Sequence, residues 1–289
     1  MATKVAIVTG GASGMGYAVA QALVQRGGWH VHVLDVKPAR DYHASSSSTT
    51  TNTTYQQADT TDYGQLAAVF KSVWTLGGQR RLDFVFANAG VLDSANFFKK
   101  SSTEGTDEPP PEPDYKVVDV NLRGCINTVY LARHYMAQSP DRSSRAIAVT
   151  ASEAAIWPTY CLPLYTASKH GALGFVRSIA DWYHKSDGIR VNTICPSSVK
   201  TALLPDEAWA AFDPSSLTSM DLVVKIVLDH FLNGELVVDS NGRRATSNYG
   251  QTVVPSGDEL YLEDLPPFVN AGHEALVKAT EVDRQTNII

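Results

Sequence analysis

The sequence is poor in cysteine, which limits the cross-links and metal sites it can form. Its three thiols, Cys125, Cys161 and Cys195, are an odd number and lack the C-x-x-C spacing of zinc sites. The sequence therefore predicts neither a disulfide framework nor a structural zinc site, and no grouping of His, Asp and Glu suggests another metal. We expect the cysteines to act as small apolar core residues.

Long apolar runs and an excess of positive charge are also missing. No stretch of about 18 apolar residues is present to span a membrane, and the N-terminal residues lead directly into a strand pattern without a signal peptide. With 24 Lys and Arg against 30 Asp and Glu, the formal net charge of -6 provides no basic surface for nucleic acid or anionic lipid. These absences predict a cytoplasmic protein with neither a membrane nor a nucleic-acid partner.

The composition is that of an ordinary folded protein. Hydrophobic residues make up 44% of the 289 residues and charged residues 19%, enough to form a sizeable core. We predict one domain over residues 1–289 with three additions. These are a Ser/Thr-rich insertion at 41–54, a proline-rich loop at 104–113, and a substrate flap with a C-terminal elaboration at 201–289.

Short apolar strands alternate with helical patterns over the first 200 residues. The strand patterns cover 5–8, 29–36, 55–59, 82–87, 145–150 and 190–195. Helical spacing marks 14–26, 64–76, 114–137, 165–183 and 217–232, and further strands are expected at 234–239 and 249–254. This alternation predicts an α/β, Rossmann-type, doubly wound and mostly parallel sheet of about seven strands, with helices on both faces and ligands at the carboxyl ends of the strands.

A glycine-rich turn follows the first strand and opens the first helix. Gly10, Gly14 and Gly16 lack side chains that would keep a pyrophosphate away from the backbone and from the positive helix end, and Ser13 and Met15 lie in the same turn. A tight strand-to-helix turn is the alternative. Three glycines cost backbone entropy that a plain turn does not require, so the pattern favours a phosphate site.

Two acidic residues follow the next strands. Asp35, 19 residues after Gly16, stands where a carboxylate accepts hydrogen bonds from the ribose hydroxyls of NAD and repels the 2′-phosphate of NADP. Asp35 therefore favours NAD over NADP, although Lys37 lies close by and offsets part of the repulsion. Asp59 is placed to meet the adenine edge. Turn capping is the alternative for both acids.

Tyr165 and Lys169 are four residues apart in a helical pattern and therefore share one helix face. An ammonium group favours the ionised form of a nearby phenol, so the pair is a candidate general acid/base. A partly buried ring beside a solvated charge is the alternative.

Ser152 follows the fifth strand, 13 residues before Tyr165. It is placed to hold a substrate oxygen or to act only as a turn residue.

These residues belong to a longer ordered set. In sequence order the set is Thr9-Gly-x-x-x-Gly-x-Gly16, Asn88-Ala89-Gly90, Asn121, Ser152 and Tyr165-x-x-x-Lys169. The set resembles the single-domain branch of the short-chain dehydrogenase/reductase family over about residues 4 to 201. The run 165–175 resembles the branch that contains 15-hydroxyprostaglandin dehydrogenases and insect-type alcohol dehydrogenases.

The resemblance implies roles for the catalytic set. Tyr165 would be the acid/base, and Lys169 would lower its pKa and hold the nicotinamide ribose. Ser152 would orient the substrate oxygen, and Asn121 would anchor a water in a proton relay. The resemblance also implies further cofactor contacts: Asn88, Ala89, Gly90, Pro196, Val199 and Thr201. Ser197 departs from the family pattern, which commonly has glycine there.

The implied reaction is the NAD-dependent interconversion of a secondary alcohol and a ketone by hydride transfer. Candidate substrate contacts, whose mixture indicates a bulky apolar or aromatic substrate, are Glu153, Trp157, Tyr160, Leu162, Leu203, Leu204 and Trp209. Core packing is the alternative for each. Two competing functions remain: an epimerase or dehydratase that uses the same Tyr/Lys pair, and a non-catalytic NAD-binding protein.

The resemblance also implies a homodimer or homotetramer that associates through the helices at 114–137 and 165–183.

Overall fold

One eight-stranded sheet organises the fold. The computed structural model describes residues 3–37, 52–78, 80–94 and 96–285. The strands are β1 (Lys4–Thr9), β2 (Trp29–Asp35), β3 (Thr53–Gln57), β4 (Phe84–Ala87), β5 (Ala146–Thr150), β6 (Arg190–Ile194), β7 (Thr252–Ser256) and β8 (Glu259–Leu262). Their spatial order is β3-β2-β1-β4-β5-β6-β7-β8, and all neighbours are parallel except β7 and β8. The predicted Rossmann-type α/β class is confirmed, with eight strands rather than about seven.

Helices connect the strands across both faces of the sheet. They are α1 (Gly14–Arg26), α2 (Tyr63–Thr75), α3 (Lys116–Val118, π-helical Asp119–Gly124 and Cys125–Met136), α4 (Pro163–Asp187), α5 (Asp206–Trp209), α6 (Met220–Lys225 and π-helical Ile226–Leu232) and α7 (Ala271–Ala279). Single 3-10 turns occur at Leu76–Gly78, Arg142–Ser144, Glu153–Ala155, Pro214–Ser216 and Val282–Arg284. No helix in the described ranges is both long and apolar enough to cross a bilayer.

The sheet is buried on both faces, which explains why its strands read as continuous apolar runs. In β1, Ala6 and Val8 join a core cluster with residues of α1 and α6, whereas Val5 and Ile7 join a second cluster with residues of α2, α3 and α4. Because the strands from β3 to β7 are parallel, their carboxyl ends lie at one edge of the sheet.

That edge contains a topological switch point. Strand β1 pairs with β2 on one side and with β4 on the other, so the crossover connections diverge from it. The segments that follow β1, β4, β5 and β6 are residues 10–16, 88–94, 151–157 and 195–201. In open sheets of this kind, ligands bind at such a crevice. The fold therefore brings the motifs separated along the sequence to one edge.

The structure corrects three predicted elements. Strand β3 begins at Thr53, inside the proposed insertion at 41–54, because Thr53 and Thr54 pair with Val31 and His32 of β2; residues 41–51 lie outside the described ranges. The predicted strand at 234–239 is wrong, since only Val238 forms a bridge, to Arg244. The strand expected at 249–254 is β7, and the antiparallel β8 was missed.

The histidine pair of β2 makes the fold sensitive to acid. His32 is 2% exposed, and burial, followed by the charge of His30 at a ring-centroid distance of 4.7 Å, lowers the pKa of His32 from 6.5 to about 4. A base whose folded pKa is lowered stabilises the protein fully above its unfolded pKa, and this stability is lost as pH falls from about 6.5 towards 4.

We therefore expect His32→Leu to flatten this acid dependence. The wild-type protein should lose about 2 kcal/mol of unfolding free energy through this group between pH 7.5 and pH 4.5, and the variant should not. Urea unfolding at both pH values measures the two slopes. Parallel pH dependence of the two proteins would contradict the assignment, whatever constant offset the substitution causes.

Candidate active site

The turn between β1 and α1 leaves no room for side chains at Gly10 and Gly16. Gly10 has a φ of 63°, and a Cβ on Gly16 would lie 2.4 Å from the Gly10 carbonyl oxygen and 2.7 Å from Asn88 Nδ2. The backbone of the turn is thus packed directly against the segment that follows β4. Glycine is required here by the contact and by the left-handed conformation, as a close approach to a phosphate also requires.

The N-terminus of α1 is suited to an anion. In α2 the Asp62 side chain accepts a hydrogen bond from the Gln65 N–H and so caps the helix. In α1 the N-cap residue is Ser13, whose side chain makes no capping hydrogen bond, and the first turn contains no acidic residue within the described chain. The amide groups and the positive end of this helix are therefore left for a negatively charged group such as a pyrophosphate.

Asp35 ends β2 beside this turn. Its carboxylate accepts hydrogen bonds from the Ala12 N–H at 3.0 Å and from the Lys37 N–H at 3.1 Å. The Lys37 ammonium lies 3.3 Å from Ser13 Oγ. A carboxylate suited to a ribose and a cation suited to a phosphate thus lie side by side at the end of β2.

Asp59 is used locally. Its Oδ1 accepts hydrogen bonds from both the N–H and the hydroxyl of Thr61, each at 2.8 Å. This is the turn-capping arrangement that was the alternative to an adenine contact.

Asn88 connects three strands at the sheet edge. Its amide donates to the Thr9 and Gly10 carbonyls at 3.3 and 3.2 Å, and its carbonyl accepts from the Thr150 hydroxyl at 3.0 Å. These bonds hold the ends of β1, β4 and β5 together. Ala89 N–H also donates to the Thr9 hydroxyl at 3.2 Å.

Tyr165, Lys169 and Ser152 come together at this edge. The Ser152 hydroxyl lies close enough to the Tyr165 phenol to favour its ionised form, and it accepts a hydrogen bond from the Ala154 N–H at 3.1 Å. Lys169 is 3% exposed, and its Nζ donates to the Thr150 carbonyl at 2.9 Å and lies 5.6 Å from the centre of the Tyr165 ring. Gly90 lies next to the ammonium, since a Cβ at this glycine would be 3.6 Å from Lys169 Nζ.

Burial dominates the electrostatics of this group. It raises the pKa of Tyr165; the nearby Ser152 hydroxyl opposes this shift, and the charge of Glu153 adds to it. Burial also lowers the pKa of Lys169 to about 8. In the protein alone the pKa of the phenol is therefore raised, whereas the resemblance implied that Lys169 lowers it, because the buried site disfavours a charge on either partner.

Asn121 lies in the π-helical turn of α3 and is 2% exposed. Its carbonyl oxygen accepts from the Val91 N–H at 2.8 Å, and its amide donates to the Val91 carbonyl at 3.0 Å and to the Ser168 hydroxyl at 3.1 Å. A π-turn interrupts the regular helical hydrogen-bond ladder and often marks a functional site. The Asn121 side chain is therefore committed to contacts within the protein.

The loop after β6 contacts both the glycine turn and the flap. Val199 and Pro196 are buried, and the Pro196 carbonyl accepts from the Glu153 N–H at 2.9 Å. Thr201 packs against Gly14, where a Cβ would lie 3.2 Å from the threonine methyl group. Ser197, at the usual glycine position, lies 2.7 Å from the Thr218 hydroxyl. The serine at this position thus adds a side-chain hydrogen bond to Thr218, which lies just before α6.

The substrate candidates fall into different environments. Glu153 is partly buried, and burial raises its pKa. Three apolar candidates are exposed near the site: Trp157, Tyr160 and Leu203. Leu162 is partly buried at the N-cap of α4, and Leu204 lines an open depression of about 490 Å³ next to Thr201.

Trp209 has a different role. It is 7% exposed, and its indole N–H donates to the Thr201 and Leu204 carbonyls at 3.0 and 3.2 Å. Its ring packs on Phe212 at 5.2 Å. Trp209 therefore stabilises the segment that contains Thr201 and Leu204. It packs as a core residue, which was the alternative to a substrate contact.

Sequence reasoning missed four residues of the site: Val91, Asp93, Thr150 and Ser168. Thr150 and Val91 act through backbone carbonyl and amide groups, which side-chain type does not reveal. Asp93 binds the start of α4 from 72 positions away, so no local spacing indicates it. Among the described residues, no group of three or more His, Cys, Asp or Glu side chains is placed to hold a metal.

Comparison with known proteins identifies the class. A family model for the short chain dehydrogenases matches residues 4–210. The chain therefore belongs to the short-chain dehydrogenase/reductase family, a class of oxidoreductases that use NAD(P) and act on CH–OH groups. The resemblance seen in the sequence motifs is confirmed.

Individual relatives cover most of the chain. Short-chain dehydrogenase/reductase prx7 of Penicillium rubens is 37% identical over 284 residues, which is 95% of this chain and 99% of that protein. Human 15-hydroxyprostaglandin dehydrogenase [NAD(+)] is 33% identical over 209 residues, 70% of each protein.

Solved structures share the fold. The structure of ElxO with bound NADP aligns with a TM-score of 0.68 and 22% identity over 87% of this chain and 96% of that one. Levodione reductase aligns with a TM-score of 0.67 and 23% identity over 89% of this chain and 97% of that one.

Proposed function

We propose that the protein is an NAD-dependent dehydrogenase that interconverts a secondary alcohol and a ketone, with Tyr165 as the acid/base. The observation that carries this proposal is the buried ammonium of Lys169 at 5.6 Å from the centre of the Tyr165 ring, with the Ser152 hydroxyl beside the phenol, at the same sheet edge as the glycine turn. A non-catalytic binding protein has no need for this arrangement.

The glycine turn and its surroundings fit a dinucleotide. Gly10, Gly14 and Gly16 with the α1 N-terminus would hold the pyrophosphate, and Asp35 the adenosine ribose. Asn88, Ala89, Gly90 and the loop at 196–201 would line the rest. When bound, the nicotinamide supplies the hydride acceptor or donor, and the protein supplies position and the proton.

Each catalytic side chain has a distinct task in the alcohol-oxidising direction. Ser152 holds the substrate oxygen, and Tyr165, as the phenolate, removes the hydroxyl proton. Lys169 stabilises the phenolate, because its ammonium is held beside the ring by the Thr150 carbonyl. Asn121 would anchor a water in a relay that returns the proton to solvent.

The preference for NAD rests on Asp35. Its carboxylate would accept hydrogen bonds from two ribose hydroxyls and would repel a 2′-phosphate. The Lys37 ammonium at 3.3 Å from Ser13 works against this discrimination, so the preference for NAD is proposed to be moderate rather than absolute. The exposed Trp157 and Tyr160 rings support a bulky, apolar or aromatic substrate.

The test is a turnover assay with a defined panel. 1-Phenylethanol, 1-indanol and 2-tetralol would be offered with NAD+ or NADP+, and their ketones with NADH or NADPH, while absorbance of the reduced cofactor at 340 nm is recorded. Turnover with a higher kcat/KM for NAD(H) is expected. Binding of NADH without turnover of any substrate would favour a binding protein, and a higher kcat/KM for NADP(H) would reverse the assigned preference.

We also propose that the protein forms a homodimer or homotetramer through α3 and α4. Tyr130 on α3 is 61% exposed, a large ring on a surface that a partner subunit would cover. Light scattering at micromolar concentration is expected to give the mass of a dimer or tetramer. The mass of a single chain would remove this proposal.

A further inference from the structure

Asp93 connects the segment after β4 to the first turn of α4. Its Oδ2 accepts from the Leu164 N–H at 3.0 Å and its Oδ1 accepts from the Tyr165 N–H at 2.6 Å. Both carboxylate oxygens thus bind amide groups at the start of the helix that carries Tyr165. The N-cap residue Leu162 has no side-chain acceptor, so these amides depend on a group from elsewhere in the chain.

The segment that carries Asp93 is itself held in place. Two residues earlier, the N–H and C=O of Val91 both bind the buried Asn121 amide, at 2.8 and 3.0 Å. The same amide donates to Ser168 Oγ, which donates to the Tyr165 carbonyl at 2.7 Å. The Tyr165 peptide is therefore fixed at its N–H by Asp93 and at its C=O by Ser168, and both contacts lead back to Val91 and Asn121.

Lys169 is fixed separately. Its Nζ binds the Thr150 carbonyl at the end of β5, so its position depends on the sheet and not on the first turn of α4. A frayed first turn would move the phenol relative to an ammonium and a Ser152 hydroxyl that stay in place. The alignment of the three groups thus requires a constraint at the Tyr165 end.

We propose that Asp93 is a positioning residue that holds the Tyr165 phenol in register with Ser152 and Lys169. The proposal rests on the proposed function of Tyr165. The competing role is a helix cap that contributes to stability alone. Displacement of a reacting group by about 1 Å costs roughly 100-fold in rate, whereas loss of a cap alone leaves kcat unchanged.

The experiment compares Asp93→Ala and Asp93→Asn with Asp62→Ala. Asp62 caps α2 through the Gln65 N–H at 3.0 Å, so it is a matched cap outside the catalytic group. With the panel substrate that the wild-type protein oxidises fastest, we would measure kcat at saturating NAD+ and the KM for NAD+ at saturating alcohol. Hydrogen exchange of the amides at 164 and 165 and thermal melting would be measured on the same proteins.

Both Asp→Ala variants are expected to melt at lower temperature. Only Asp93→Ala should lose kcat, by roughly 10- to 100-fold with an unchanged KM for NAD+, and show faster exchange at 164 and 165. Asp93→Asn keeps one acceptor oxygen, so its kcat should lie between those of the wild type and Asp93→Ala.

Two results would overturn the proposal. One is a kcat for Asp93→Ala equal to that of Asp62→Ala; the other is unchanged exchange at 164 and 165, a measurement that needs no substrate. Failure of the proposed function is recognised separately, because it would appear as full turnover by Tyr165→Phe whatever the behaviour of the Asp93 variants.

Discussion

Tyr165→Phe is expected to lower turnover by ~10²- to 10⁴-fold while NADH still binds, since this is the range of general acid/base help. The substitution removes one oxygen from a ring that is already partly buried. It therefore deletes the proton acceptor beside Ser152 without opening a cavity. Steady-state rates with the best panel substrate and NADH fluorescence titration measure the two effects.

Tyr63→Phe is the matched control for this substitution. Tyr63 begins α2, is 47% exposed, and loses the same hydroxyl in the variant. It should keep wild-type rates. A Tyr165→Phe protein that retains near wild-type turnover would refute the assignment of the acid/base.

The same assignment determines the direction of the pH dependence. Burial raises the pKa of Tyr165, with Ser152 opposing the shift, so the phenolate population grows as pH rises towards that pKa. Alcohol oxidation should therefore accelerate with increasing pH and ketone reduction should not. The positive charge of a bound nicotinamide would lower this pKa and shift the rise to lower pH.

Gly16→Ala is expected to weaken NADH binding by ~10- to 100-fold and to lower the unfolding free energy by about 1–3 kcal/mol. The added methyl group would lie 2.4 Å from the Gly10 carbonyl oxygen, and 2.7 Å from Asn88 Nδ2. Both neighbours belong to the surface proposed to hold the cofactor, so relief of the overlap deforms that surface. Fluorescence titration with NADH and urea unfolding measure the two effects.

Gly174→Ala provides the control for the same chemical change. Gly174 lies in α4 and is exposed, and a Cβ added there would meet no atom of another segment of the described chain within 4 Å. Alanine is the better helix former, so this variant should bind NADH normally and gain up to about 1 kcal/mol. Equal NADH affinity of Gly16→Ala and the wild type would contradict the proposed role of the turn.

Local pattern was sufficient for most of the fold and failed where pairing depends on distant segments. The apolar runs of β1, β4, β5 and β6 were recognisable because both faces of the sheet are buried. The start of β3 was not, since Thr53 and Thr54 read as part of a polar run until they are paired with β2. The stretch at 234–239 has a strand pattern, but only Val238 forms a β-bridge there.

The sequence by itself determined the family, the mostly parallel sheet and the Tyr165/Lys169 pair. All three rest on local spacing: strands that alternate with helices, glycines at one turn, and two side chains one helical turn apart. Such spacings are properties of neighbouring residues and are readable without coordinates.

Only the tertiary structure decided how the site is supported and charged. The Asp93 contact to Tyr165 spans 72 positions, the Asn121 contacts to Val91 and Ser168 span 30 and 47, and the Thr150 contact to Lys169 uses a backbone carbonyl. Hydrogen bonds between distant segments leave no periodicity in a sequence. Burial, which raises the pKa of Tyr165 and lowers that of Lys169, likewise exists only once the sheet edge has assembled around them.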